Sequence, residues 1–127
     1  MASTQIKSPR SLPAAEDLSS ALYLFATETT SNTYEISDAI TDQAAGVLQN
    51  APDTAGLTAV VQEIGYTKVV AAAALAVGVL VAPDATGKAQ VAVATQYPRG
   101  KVIEAAGAAS DLATIRLIES GVPIPAA

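Results

Sequence analysis

Apolar and polar positions in this chain change over short distances. Runs of roughly four to eight mostly apolar residues are closed by Gly, Pro, Asn, Asp, Ser or Thr, the pattern of short strands and tight turns. Strands are predicted at 22–27 and 33–37 around the turn Thr30-Ser31-Asn32-Thr33, and at 77–82 and 89–94 around Ala85-Thr86-Gly87-Lys88. Each hairpin is followed by a short β segment, at 46–49 or 101–104. A loop of small residues, at 50–56 or 105–111, then leads to a last strand, at 57–64 or 112–118. In the second of these, Leu112, Thr114, Arg116 and Ile118 share one parity and Ala113, Ile115 and Leu117 the other, so one face is better buried. Helix competes at 71–77, where alanines favour it. Gly78 follows at once, however, and a helix of two turns is marginal alone. One helical turn also fits within 38–48.

The two sets of predicted strands are related. At an offset of 55 residues, Ala21-Leu22-Tyr23-Leu24-Phe25-Ala26 superimposes without a gap on Ala76-Val77-Gly78-Val79-Leu80-Val81. Ile36 then falls on Val91, Val47-Leu48-Gln49 on Val102-Ile103-Glu104, Leu57 on Leu112 and Val60 on Ile115. The same offset sets Asn32 opposite Gly87, the two residue types that most readily accept positive φ, so both are assigned as structural turn residues. Pseudo-repeats at 21–64 and 76–119 follow. At about 45 residues neither half is expected to bury a core alone, so the prediction is a mainly β fold, one compact β-barrel or sandwich packed from both.

Residues 1–16 differ from the remainder. Pro9 and Pro13 favour an extended path, hydroxyl residues are frequent, and Lys7 and Arg10 precede the first acid, Glu16. The chain therefore divides into an extended N-terminal arm, 1–16, and a single β domain, 17–127. On the arm, Gln5, Ile6, Lys7, Arg10 and Leu12 are the candidate contacts with a partner, since an extended segment can add as a strand to a neighbour's sheet edge. The tail at 121–127 is likewise extended by Pro123 and Pro125.

Composition narrows the chemistry. The 127 residues include 28 alanines but no His, Cys or Trp. That excludes Ser-His-Asp triads, thiolate nucleophiles and the usual zinc, copper and haem ligand sets. No cofactor or metal is expected, and no enzymatic activity. Asp84-Ala85-Thr86-Gly87-Lys88 contains Gly-Lys, but Ala82 and Ala89 stand where a phosphate loop needs Gly and Ser or Thr, so it is a hairpin turn. The closest group of acids is Glu35, Asp38 and Asp42. A solvated acidic face is the expectation; the alternative is a weak cation site, with Asp38 and Asp42 one helical turn apart. A net charge of -5 and an isoelectric point near 4.4 argue against a nucleic-acid partner. The longest apolar run, 69–82, falls short of the roughly 20 residues a membrane helix needs, and is expected to be buried core. No secretory signal is recognised, and a cysteine-free chain suits synthesis in a reducing cytoplasm. A core of small side chains buries little apolar area per residue, so help from oligomerisation is expected.

Three segments carry a resemblance: Gly46-Val47-Leu48-Gln49-Asn50-Ala51-Pro52, then 73–81 leading into Asp84-Ala85-Thr86-Gly87-Lys88, then Glu104-Ala105-Ala106 through Asp111 to Leu117. Together they resemble the small capsid cement or decoration proteins of tailed bacteriophages, over nearly the whole chain after the arm. Lys101 and Val102 depart from the smaller residues common there, and Ser110 from the glycine that often precedes the aspartate. The resemblance implies a virion structural protein on the outer capsid surface. It would bridge neighbouring copies of the major capsid protein, as a homo-oligomer and most commonly a trimer. The competing expectation is a small-ligand or carbohydrate binding β module, for which only Tyr23, Phe25, Tyr34, Tyr66 and Tyr97 could supply aromatic contacts.

Overall fold

Strands this short hold together only when several pair, and turn residues set where each pairing ends. The computed structural model describes residues 10–38, 44–93 and 96–118. Among them there is no helix, including at 71–77, and the regular structure is ten strands. In the first half these are β1 (Arg10–Pro13), β2 (Phe25–Glu28), β3 (Tyr34–Ile36), β4 (Gly46–Leu48) and β5 (Thr58–Gln62). In the second half they are β6 (Tyr66–Val70), β7 (Leu80–Pro83), β8 (Ala89–Val91), β9 (Gly100–Glu104) and β10 (Leu112–Leu117). The helical turn considered at 38–48 falls partly outside the described residues.

Each half makes one antiparallel five-stranded sheet, ordered β1-β5-β4-β2-β3 in the first and β6-β10-β9-β7-β8 in the second. The two orders are the same, strand for strand. Even the irregular contacts repeat: the chain leaving β1 bridges β3 at Ala14 and Tyr34, and the chain leaving β6 bridges β8 at Ala71 and Ala89. These bridges curl each sheet toward itself, but neither closes into a barrel, and the fold is a β-sandwich of two similar halves.

The repeat has a slip in it. An offset of 55 relates β2 and β3 to β7 and β8, whereas β4 and β5 relate to β9 and β10 by 54: Ala26 pairs with Gly46 as Val81 pairs with Gly100, and Leu48 with Val61 as Val102 with Ile115. The link between hairpin and next strand is one residue shorter in the second half, 92–99 against 37–45. A shift of one residue exchanges the faces of a strand. The true counterpart of buried Ile115 is therefore buried Val61, not Val60, and the gapless alignment is corrected past the hairpins.

Two further expectations are revised. Arg10–Pro13, assigned from sequence to the arm, is an edge strand of the first sheet, with Arg10 opposite Val61 and Pro13 opposite Thr58. The apolar run at 69–82 is only partly core: Val69, Ala71, Leu75, Val81 and Ala82 are buried, but Val77 is 64% exposed. The run passes through two strands and the turn between them, so its residues cannot all face inward.

There are two clusters of buried side chains rather than one. Ala14, Leu18, Leu24, Ala26, Tyr34, Leu48, Ala59 and Val61 fill the first half. Val69, Leu75, Val81, Val102, Ala113 and Ile115 fill the second, and this cluster takes in Phe25, Ala44 and Val47 from the first. The far face of the first sheet is thus covered by the second half. The hairpin turn between β7 and β8 sits against it, with the Phe25 amide donating to the Gly87 carbonyl at 2.8 Å.

Candidate functional site

The sequence places its candidate contacts on the arm, and the structure describes two of them. Gln5, Ile6 and Lys7 lie outside the described residues. Leu12 is half-buried on β1 and packs on the first core. Arg10 Nη1 donates to Glu28 Oε1 at 2.6 Å and lies 3.9 Å from Glu63 Oε2. The bond to Glu28 raises the Arg10 pKa. Glu63 also accepts from the Tyr34 hydroxyl at 3.0 Å, and burial together with that carboxylate pushes the Tyr34 pKa well up. The segment adds to a sheet edge as an extended chain can, but the sheet is its own.

Both assigned turn residues sit at left-handed positions, Asn32 with φ 60° and Gly87 with φ 84°. The turns are built alike. Asp84 Oδ1 accepts the amides of Thr86 and Lys88 at 2.8 and 3.0 Å, and Thr29 Oγ1, its counterpart, accepts those of Ser31 and Thr33 at 3.2 and 3.3 Å. The amides of Thr86 and Lys88 are thus engaged by the Asp84 carboxylate, as in a hairpin turn closed by its own side chain.

A more open feature is the outer face of the second sheet. Cross-strand register sets Tyr66 beside Arg116, Arg116 beside Lys101, and Lys101 beside Leu80. Lys68 follows one pleat along, beside Thr114. All of these but Thr114 are exposed, Tyr66 by 62%, and none of Lys68, Lys101 and Arg116 is ion-paired among the described residues. The one carboxylate set among them by register, Glu104, accepts from Thr114 Oγ1 at 2.6 Å. Three cations thus share a single face with tyrosine and leucine, in a chain with an excess of acids. The alternation in 112–117 signals that face for Arg116, but only strand register brings Lys68 and Lys101 to it.

Charge is unevenly divided between the halves. Residues 1–64 contain eight acids and two bases, a net -6; residues 65–127 contain four acids and five bases, a net +1.

Among the described residues one cation, Arg99, is buried. Arg99 donates from Nε to Ala44 O at 3.0 Å, from Nη1 to Ile118 O at 2.7 Å, and from Nη2 to Ala45 O at 2.6 Å and Glu63 O at 2.8 Å. It joins the approach to β4, the end of β5 and the end of β10, so the guanidinium stitches the halves together. No spacing in the sequence marks it, because its acceptors are backbone carbonyls. Of the aromatics, Phe25 and Tyr34 are fully buried, Tyr23 and Tyr97 partly, and Tyr66 alone stands well exposed.

Among the described residues no group of three or more acids could hold a metal ion, and no helix is long and apolar enough to cross a membrane. No protein-family model and no curated protein matches the chain. Among solved structures it is similar to the N base of the head fiber gp8.5 of bacteriophage phi29, with a TM-score of 0.69 and 17% sequence identity. The match covers 90% of this chain and 96% of the other. Nearly the whole fold is therefore shared at an identity that speaks for architecture alone.

Proposed function

We propose that this chain is a structural protein of a phage virion, bound on the outside of the head and cementing neighbouring copies of the major capsid protein. The observation that carries the reading is the fold shared over 90% of the chain with the base of a phage head fiber. Two features of the chain support it. Its side chains lack imidazole and thiol, which suits a role without turnover. Its halves are packed and bonded together, with exposed charged and apolar faces, as suits a protein that works by being held in place in many copies. The N-terminal arm, with Gln5, Ile6 and Lys7, is the first candidate for the capsid contact. Arg10 and Leu12 are assigned instead to anchoring that arm on the body.

The test is addition of purified chain to expanded, undecorated phage heads, followed by electron microscopy and by heating of the particles. Cementing predicts density on the outer surface between capsid subunits and heads that withstand higher temperature. Bound chain with unchanged head stability would leave a fiber-base role in its place, and absence of binding to any phage head would overturn the proposal. Removal of residues 1–9 is expected to weaken binding while the body stays folded.

A further inference from the structure

Like charges set directly opposite each other destabilise a pair of strands. The second sheet keeps such a pair on its outer face: Arg116 stands opposite Lys101 on one side and Tyr66 on the other, and Lys68 lies diagonally across from it. Among the described residues no side-chain bond relieves these three cations, and the nearby Glu104 carboxylate accepts instead from the Thr114 hydroxyl at 2.6 Å. Apolar side chains frame them. Tyr66 is 62% exposed, and Leu80, opposite Lys101, and Leu112, on the Arg116 side of β10, are 39% and 45% exposed. This cationic face lies in the half with net charge +1, in a chain whose other half has -6.

That combination selects the chemistry of a partner. A long polyanion such as DNA or an acidic polysaccharide would meet the cations but leave Leu80 and Leu112 uncovered, and it would run on past the acidic first half. A compact acidic patch on a folded protein, with apolar side chains among its carboxylates, satisfies both parts of the face. Aromatic residues and Arg are the side chains enriched at such contacts. The uneven charge also orients the approach, since an acidic surface repels the first half and draws the second. We infer that the outer face of the second sheet, centred on Lys101 and Arg116 and framed by Tyr66, Leu80 and Leu112, docks on an acidic protein patch of the phage head. This role rests on the reading of the chain as a head protein, and it gives the folded body a contact of its own beside that of the arm.

The test is co-sedimentation of the full chain with expanded, undecorated phage heads over a range of chain concentrations, with thermal melts of the free chain alongside. Binding of the parent is expected to weaken with added salt. Arg116→Glu is expected to weaken it about tenfold. Lys88→Glu changes the net charge equally but lies in the turn against the first half, and should bind like the parent. So should Lys101→Arg with Arg116→Lys, which keeps the charges. Leu80→Ser should weaken binding while leaving its salt dependence as it is. In the free chain Arg116→Glu sets opposite charges across from each other, so its thermal midpoint should rise by about 2 °C, the reverse of its effect on binding. A midpoint that falls would show that the cation serves the fold, and overturns the inference. Heads that bind Arg116→Glu as well as the parent overturn it too, and leave the proposed function standing. If Arg116→Glu at about 0.15 M salt loses binding to duplex DNA or heparin but not to heads, the face belongs to a polyanion instead. A parent chain that binds no head overturns the proposed function, and this docking surface with it.

Discussion

Tyr34 is the largest fully buried side chain among the described residues, and its hydroxyl donates to Glu63 Oε2 at 3.0 Å. Burial disfavours the phenolate, and the neighbouring carboxylate disfavours it further. The pKa is thus higher folded than unfolded, so the stabilisation is intact below the unfolded tyrosine pKa of about 10 and is lost as pH rises toward the folded value. In that range the unfolded state releases a proton that the folded state keeps, and stability falls by about 1.4 kcal/mol per pH unit. Tyr34→Phe is expected to remove one proton from this alkaline slope while costing about 1 kcal/mol at neutral pH through the lost hydrogen bond. Thermal unfolding followed from about pH 8 to 12 reads both effects. Backbone strain also resides in single residues. Ser110 holds φ at 72°, a left-handed geometry that glycine adopts most readily, and Tyr23 holds φ at 64° where the second half uses Gly78. The demand at Tyr23 is visible by comparing the two halves, where Gly78 stands opposite it.

At the scale of the element, the hairpins and last strands are readable because turn residues and alternation are local signals. Strands β1 and β6 are not. Arg10–Pro13 contains a proline and no apolar alternation, and it is a strand only because the edge of β5 is available to it. The correct offset for β4 and β9 aligns two glycines, Gly46 and Gly100, which the gapless offset separates. Both lie on buried, tightly approached backbone. A Cβ at Gly46 would run into the Gln62 carbonyl, which cannot move without breaking the sheet. One at Gly100 would meet the Ile115 side chain at 2.7 Å, which can shift. Gly46→Ala is accordingly expected to cost about 3 kcal/mol and Gly100→Ala about half as much, measured as midpoints of urea unfolding.

For the whole molecule, the joint between the halves matters more than either core. Arg99 gives its hydrogen bonds to carbonyls contributed by both halves, in a position with little water to replace them. Arg99→Met is expected to cost about 3 kcal/mol or more, because four carbonyls lose a charged donor. Arg99→Lys should recover less than half of that, since an ammonium lacks the planar fork that spans these acceptors. Calorimetric unfolding of the two variants beside the parent checks the order. Loss of the joint also uncovers Phe25 and Val47, so the variants should expose apolar surface that binds a hydrophobic dye.

The amino-acid sequence by itself determined a β fold in two related halves, the positions of its hairpin turns, and a chemistry without imidazole or thiol. These follow from local spacing and composition, which need no knowledge of the neighbours. Tertiary structure alone decided that Phe25, Ala44 and Val47 of the first half join the core of the second, that Arg10 is bonded within the body, that Arg99 is the cation at the joint, and that Lys68, Lys101 and Arg116 share an open face. Each of these depends on which strand lies beside which, and in what register. Residues tens of positions apart become neighbours only through that pairing, and a one-residue difference in a connecting loop is enough to change which side chains meet.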